Sequence, residues 1–407
     1  MKKIISLCMA LCILFACSAC TTDSEPTVPP TAIPDTDPTT TTPTEEPSKP
    51  TEPETTEPST PELEYNLPMI AISVTEETEI TSGKDGNPVF EYTYPNIRLI
   101  LPDPEMSMQV NLDILNRIDA TRSVANDLMN DAVAENPKYP YTLTVIYEPQ
   151  RVDSSIISLF ASQSIYSGGS VFHSGHGITY DLSTGNLLTL GDVLNTQVSA
   201  DDLCPLVAKA LSSLPEEYAI FDDFITTVEH RFAVDFRADA GWHLSEEGLC
   251  FTFLPYEVAP NSTGFVHAMI PYDQLNGILC DAYYPPEEVT AKGELEVLPD
   301  HEDTENYSQV ASLNLDPVGD HYLLHCTDLI YNLKIETGFW SMDGTTFTPQ
   351  RIVFLADSLI PGDAVKIQTD IPDTLPHLRI TYTGSDGMVT VYLSTSGKDG
   401  TPLLLTY

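Results

Sequence analysis

From Tyr166 to Leu194 the chain reads YSGGSVFHSGHGITYDLSTGNLLTLGDVL. Gly168-Gly169 and Ser183-Thr184-Gly185 are turn residues, because glycine reaches positive φ without steric cost. The residues between the two turns suit strands of a sheet. Just upstream, Tyr141, Leu143, Val145 and Tyr147 alternate, and Ile156, Ile157, Leu159 and Phe160 follow another turn. This region therefore demands a sheet with tight connections. It holds no obvious nucleophile with a partner, so it reads as an extracellular binding or sensing module rather than an enzyme.

The flanking sequence extends the same pattern. Ile70, Ile72 and Val74 alternate, a Lys84-Asp85-Gly86-Asn87 turn follows, and Phe90, Tyr92 and Tyr94 alternate again. Residues 107–135 change period: Ile114, Ile118, Ala125, Met129 and Ala132 recur at helical spacing, and Pro137 ends the helix. Ala200-Asp201-Asp202 can cap a second helix carrying Leu203, Val207 and Leu211, and a third piece spans about 221–232. Leu249–Leu254 and Phe265–Ile270 read as paired strands. Residues 287–300 read as a polar linker. Beyond it, short strands separated by Asp343-Gly344, Pro361-Gly362 and Ser385-Asp386-Gly387 suggest a small β-sandwich or barrel over 300–407. The expected fold is α+β, with antiparallel sheets and a few helices over 66–286, then a separately folded all-β part.

The N-terminus has a different chemistry. Lys2-Lys3, an apolar run from Ile4 to Ala16 and small residues with cysteine make residues 1–20 a secretory signal. Its end is similar to a bacterial lipobox, with two readings: lipidation at Cys17 after Leu14-Phe15-Ala16, or at Cys20 after Ser18-Ala19. Either cysteine would carry an acyl anchor to the outer face of the cell membrane. Residues 21–65 are nearly all Thr, Pro, Glu, Asp and Ser, which cannot bury enough apolar surface to offset chain entropy. They are expected to form an extended tether.

The formal net charge is -42, from 18 basic and 60 acidic residues. Nucleic-acid binding by phosphate neutralisation is excluded, since it needs Lys and Arg. Residues 21–64 hold only eleven of the acids, so the folded part is acidic in its own right. Cationic partners or simple solubility both fit that charge. Cys204, Cys250, Cys280 and Cys326 are widely spaced without a Cys-x-x-Cys pair, leaving one disulfide or buried free thiols as readings.

No catalytic set is complete. Asp222-Asp223 with His230 lacks the glycine, proline and spaced histidine pair of a deacetylase metal site, and acids suit a helix start. His173 and His176, with Asp181 and His243, offer metal-ligand types, but residues three apart on a strand face opposite ways. Ser170 and Ser174 near these histidines lack a Gly-x-Ser-x-Gly elbow. No catalytic residue, metal or cofactor is therefore assigned.

Several motifs occur in order. They are Tyr94-Pro95 before a helix containing Asn111, Tyr166-Ser167-Gly168-Gly169, Tyr180 to Gly185, Leu188 to Leu194, and Phe253 to Pro260 with Gly264. Together, over 66–286, they resemble the extracellular domain family found in the anti-sigma-V factor of Bacillus and in front of a peptidoglycan deacetylase. The resemblance implies an α+β fold and, in the anti-sigma-V relative, lysozyme binding. Here Ser170-Val171-Phe172-His173 follows the double glycine where the family commonly has Ala-His. The sequence therefore predicts a surface lipoprotein that binds lysozyme or another cationic protein, through Tyr166, Phe172, His173 and Tyr256. An accessory or remnant of a cell-wall polysaccharide deacetylase or hydrolase, and a structural surface module, are the alternatives.

Overall fold

The computed structural model describes residues 67–406, apart from 234, 287–289, 300–305, 342–343, 372–377 and 397–399. The signal, both candidate lipidation cysteines and the tether lie outside the described residues. Residues 66–407 form one compact unit.

Strands β1 (Ala71–Ser82) and β2 (Pro88–Ile100) form the expected hairpin, with Gly86 at φ 81 in its turn. Helix α1 (Pro104–Glu135) starts three residues before the periodic run. Asp103 caps it by accepting from the backbone N–H groups of Glu105 and Met106, and Pro104 occupies a first-turn position where no N–H is needed. The helix stops at Asn136, which takes φ 51 ahead of Pro137. Its buried stripe includes Val110, Ile114, Ile118 and Leu128.

Strand β3 (Tyr141–Val152) then pairs parallel with β2, Phe90 opposite Tyr141, so β2, α1 and β3 make a crossover unit. Strands β4 (Ile156–Tyr166) and β5 (Phe172–Asp181) follow antiparallel. The expectation of antiparallel sheets is met in most pairings, but not here, where β2 and β3 run parallel. A parallel neighbour arises because α1 is long enough to carry the chain back to the starting end of the sheet.

A helical layer comes next: the short α2 (Leu190–Val193), α3 (Ala200–Ser212) and α4 (Phe224–Phe232). The cap of α3 is Ser199 rather than Ala200, with the Asp202 carboxylate accepting from the Ser199 backbone N–H at 2.9 Å. These helices cover the three-stranded sheet of β6 (Trp242–Leu244), β7 (Gly248–Phe253) and β8 (Val266–Pro271).

Nine further strands follow among the described residues: β9 (Leu295–Pro299), β10 (Gln309–Asn314), β11 (Asp320–Cys326), β12 (Ile330–Trp340), β13 (Phe347–Leu359), β14 (Asp363–Thr369), β15 (Leu378–Gly384), β16 (Gly387–Thr395) and β17 (Pro402–Leu405). Two sheets face each other here. One is β10-β14-β11-β9, with β10 and β14 parallel. The other is not confined to the C-terminal part. It runs β17-β16-β15-β12-β13-β1-β2-β3-β4-β5, because β1 pairs with β13 through Ala71↔Ala356, Ile72↔Leu355 and Ser73↔Phe354.

Two features of the sequence reading change as a result. The 287–300 linker contains a strand, since Leu295–Pro299 pairs with β11. And the 66–286 and 300–407 parts share one sheet and one core, in which Met69 and Ala71 pack with Leu324, Leu333, Phe354 and Ile380. The four cysteines among the described residues are free thiols.

Asp357 sits beside this joint, its backbone N–H donating to the Ile70 carbonyl at 3.0 Å. Burial, reinforced by the Asp153 carboxylate and opposed by Arg151, raises its pKa from 3.8 to about 6. The folded state thus binds this proton more tightly than the unfolded chain, and the stability it confers at low pH is lost as pH rises from about 4 through about 6. Asp357→Asn is expected to raise stability at pH 7.5 by about 1–2 kcal/mol and to change it little at pH 4. Urea midpoints across that range check this; a variant with an unchanged pH profile would remove the assignment.

Candidate functional site

The register of β4 and β5 places Phe160 opposite Gly177, Ser162 opposite Gly175 and Ser164 opposite His173, all on one face of the large sheet. The three-stranded sheet lies close against this face. Gly177 N–H donates to the Ala240 carbonyl at 2.8 Å, and Leu244 N–H donates to Ser158 Oγ at 3.0 Å. Two glycines permit the approach. A Cβ on Gly177 would lie 1.5 Å from the Trp242 carbonyl oxygen, and one on Gly175 would lie 2.8 Å from the Phe160 ring. Because the Gly177 contact is backbone, Gly177→Ala is expected to destabilise the fold by about 1–3 kcal/mol or more, read as a lowered urea midpoint. A variant as stable as the parent would show that the two sheets can separate at no cost.

One face of the three-stranded sheet is apolar, with Trp242, Leu244, Phe251 and Phe253 packed among the helices. The other face carries His243, Cys250, Thr252, His267 and Met269, as the pairings His243↔Cys250, Cys250↔Met269 and Thr252↔His267 require. It meets β4 through a layer of rings. Phe160 lies 5.6 Å from His243, 5.1 Å from His267 and 5.4 Å from Phe265, and Phe265 lies 5.9 Å from His173.

Burial sets the electrostatics of this layer. His243 is pushed down to about 3, with His267 adding to the effect of burial, and His267 itself is pushed down to about 4. Burial also lowers His173. All three rings are neutral at neutral pH. Burial raises Cys250 to about 12, so its sulfur is a thiol and a poor nucleophile as it stands. Thr252 Oγ1 hydrogen-bonds His267 Nδ1 at 2.9 Å, while His243 Nδ1 is buried without a partner among the described residues. One donor atom each from His243, Cys250 and His267 lie within 4.8 Å of one another.

The histidines and Asp181 singled out from the sequence separate in the fold. His173 and His243 enter the ring layer. His176 takes the other face of β5, where burial and Arg117 of α1 lower it to about 4. Asp181 is spent on its own turn, Oδ1 accepting from Ser183 N–H at 2.6 Å. Ser164 Oγ hydrogen-bonds His173 Nδ1 at 2.8 Å, but among the described residues no carboxylate holds that ring, so the pair is no triad. Asp223 is the N-cap of α4, as the helix-start reading has it, and His230 is exposed.

Tyr166 is half-buried at the end of β4. Phe172 and Val171, just beyond the glycine turn, are 45% and 41% exposed. Tyr256, on the β7–β8 connection, is 70% exposed. That connection returns to the sheet at Phe265, against His173, so the two loops leave from the same end of the facing sheets. Tyr256 has φ 72, an uncommon value for a residue with a Cβ. Its turn is closed by Tyr256 N–H to Ala259 O at 3.1 Å and by Leu254 N–H to the Glu257 carboxylate at 2.6 Å.

Two clefts lie elsewhere among the described residues, one lined by Glu79, Tyr92 and Arg122 and one by Glu76, Asp316, Arg351 and Asp370. No serine, cysteine or histidine lines either. His267 and Cys250 are the members of the ring layer that sequence reasoning missed. Their signal was present as alternation in Leu249–Leu254 and Phe265–Ile270, but only the 252↔267 register turns it into a cluster.

Residues 192–273 match the model of a family described as a protein of unknown function, DUF3298. Among solved structures, the chain is similar to a DUF3298 family member from Bacteroides fragilis NCTC 9343, with TM-score 0.40 and 13% identity over 52% of this chain and 94% of that one. It is also similar to a DUF3298 family protein from Pseudomonas aeruginosa PAO1, with TM-score 0.39 and 15% identity over 53% of this chain and 96% of that one. No curated protein matches the chain. The DUF3298 match thus takes in α3, α4 and the three-stranded sheet that bears His243, Cys250 and His267.

Proposed function

We propose that the chain is a non-catalytic binding module, held by a lipidated Cys17 or Cys20 at the outer face of a bacterial membrane, and that it takes a cationic protein, with lysozyme as the first candidate. The observation that carries this reading is the pair of loops at one end of the facing sheets, which present Phe172 and Tyr256 to solvent. A turn locked by its own hydrogen bonds holds Tyr256 outward, and a rigid exposed aromatic is a binding anchor that loses little entropy on contact. The net charge of -42 favours cationic partners and speeds their encounter. The motif resemblance over 66–286 adds a lysozyme-binding relative.

Calorimetry of the 66–407 unit with lysozyme at low and physiological salt tests the reading. Phe172→Ala and Tyr256→Ala are each expected to weaken binding about tenfold or more, at a salt where the Debye length is about 8 Å. Absence of heat at low salt, or binding that ignores both variants and vanishes with salt, would defeat it. Mass spectrometry of the mature N-terminus checks the anchor: an unmodified terminus downstream of Cys20 would rule it out.

A further inference from the structure

We propose that His243, Cys250 and His267 form a binding site for a zinc-class transition-metal ion, enclosed between the three-stranded sheet and β4–β5. The set supplies two imidazoles and one sulfur from three adjacent strands of one sheet face, with their donor atoms within 4.8 Å of one another. Imidazole and thiolate are the ligand types that bind zinc, whose bonds of about 2.0–2.3 Å place ligand pairs about 3.5 Å apart in a tetrahedron. Side-chain rotations moving the donor atoms by about 1 Å close the set around an ion.

A second observation points to a ligand independently. His243 is 2% exposed, and its Nδ1 has no hydrogen-bond partner among the described residues. A buried nitrogen left without a partner forfeits the hydrogen bond it would make to water unless something fills its lone pair. A metal ion would do so. Thr252 supports the same geometry: its hydroxyl engages His267 Nδ1 and leaves Nε2 as that ring's donor atom. An outer hydrogen bond of this kind orients metal-ligating histidines. Met269, directly across from Cys250 on the same face, adds a thioether to the surroundings. Binding converts the Cys250 thiol to a metal thiolate and releases its proton to solvent, with no change of oxidation state.

The Phe160 ring packs against both histidines, and Phe265 packs against Phe160 behind it. This site is separate from the exposed loops assigned to partner binding, and its test is independent of theirs. Cobalt(II) serves as the probe, added to the full chain after chelator treatment and reduction. The expected result is one tight equivalent with the visible bands of a tetrahedral ion and a thiolate-to-cobalt charge-transfer band, displaced by one equivalent of zinc. Cys250→Ser should lose the charge-transfer band, and His267→Gln should weaken binding at least tenfold. The other cysteines remain in both variants, so the difference reports Cys250 alone. Absence of the charge-transfer band in the parent protein, or its persistence in Cys250→Ser, would overturn the proposal, and the parent spectrum decides even where a variant folds poorly.

Discussion

Arg151→Met is expected to destabilise the protein by about 3–5 kcal/mol, because it strands a buried carboxylate. The Arg151 side chain is 3% exposed, and each of its five N–H groups has a partner. Nε donates to Asp153 Oδ2 at 2.5 Å, Nη1 to the Tyr272 hydroxyl at 2.7 Å and the Tyr283 carbonyl at 2.6 Å, and Nη2 to Ser155 Oγ at 3.3 Å and the Tyr284 carbonyl at 3.1 Å. One side chain thereby fastens the β3–β4 corner to the segment that follows β8. Asp153 in turn accepts from the backbone N–H groups of Ser155 and Ile156, closing that corner. Removing the guanidinium leaves Asp153 without its counter-charge and two carbonyls without donors. Adding Asp153→Asn to Arg151→Met should recover part of the loss, since the uncompensated charge then goes too. Urea unfolding of the single and double variants measures both effects. A single variant within about 1 kcal/mol of the parent would mean that the pair contributes no more than an exposed one.

The second large effect concerns the joint between the two parts of the chain. A chain ending at Pro286 is expected to lose about 3–5 kcal/mol, from the apolar surface of Met69 and Ala71 and the broken β1 pairing. Met69 is 1% exposed and Ala71 is fully buried, and both face the core built by the C-terminal strands. Without β13, the first residues of β1 also become an open strand edge, which favours aggregation. Circular dichroism during urea unfolding should show one transition for residues 66–407 and an earlier, broader one for 66–286. A shortened chain that stays monomeric with an unchanged midpoint would restore two separately folding parts.

Local periodicity was legible in the sequence because it depends on neighbours in the chain, whereas the helix caps at Asp103 and Ser199 were not located by it. The 3.6-residue recurrence of Ile114, Ile118, Ala125 and Ala132 gives α1, and Pro137 marks its end, while the left-handed cap at Asn136 came from the structure. Alternation at 141–147 gives β3, and the Gly168-Gly169 turn gives the β4–β5 connection. The short strands between the C-terminal glycine turns follow from the same rule, but β9, in the stretch that reads as a linker, and β17 do not. Alternation fixes which residues share a face of a strand, but it carries no information about which distant strand lies beside it. Hence the β1–β13 pairing, which makes one sheet of two expected parts, was decided only by tertiary structure. The same holds for the parallel β2–β3 pair.

The candidate sites divide along the same line. Phe172 and Tyr256 stand on turns whose chemistry the sequence displays, yet an aromatic on a turn can fold inward or outward, and only packing decides which. His173 and His176 separate to opposite faces of β5 because side chains three apart on a strand point opposite ways, a result local geometry requires. His243, Cys250 and His267 meet because two hairpin registers bring three strands into line, and because Gly175 and Gly177 let another sheet close over them. Chain order determined the strands, and the docking of one sheet on another determined their shared chemistry.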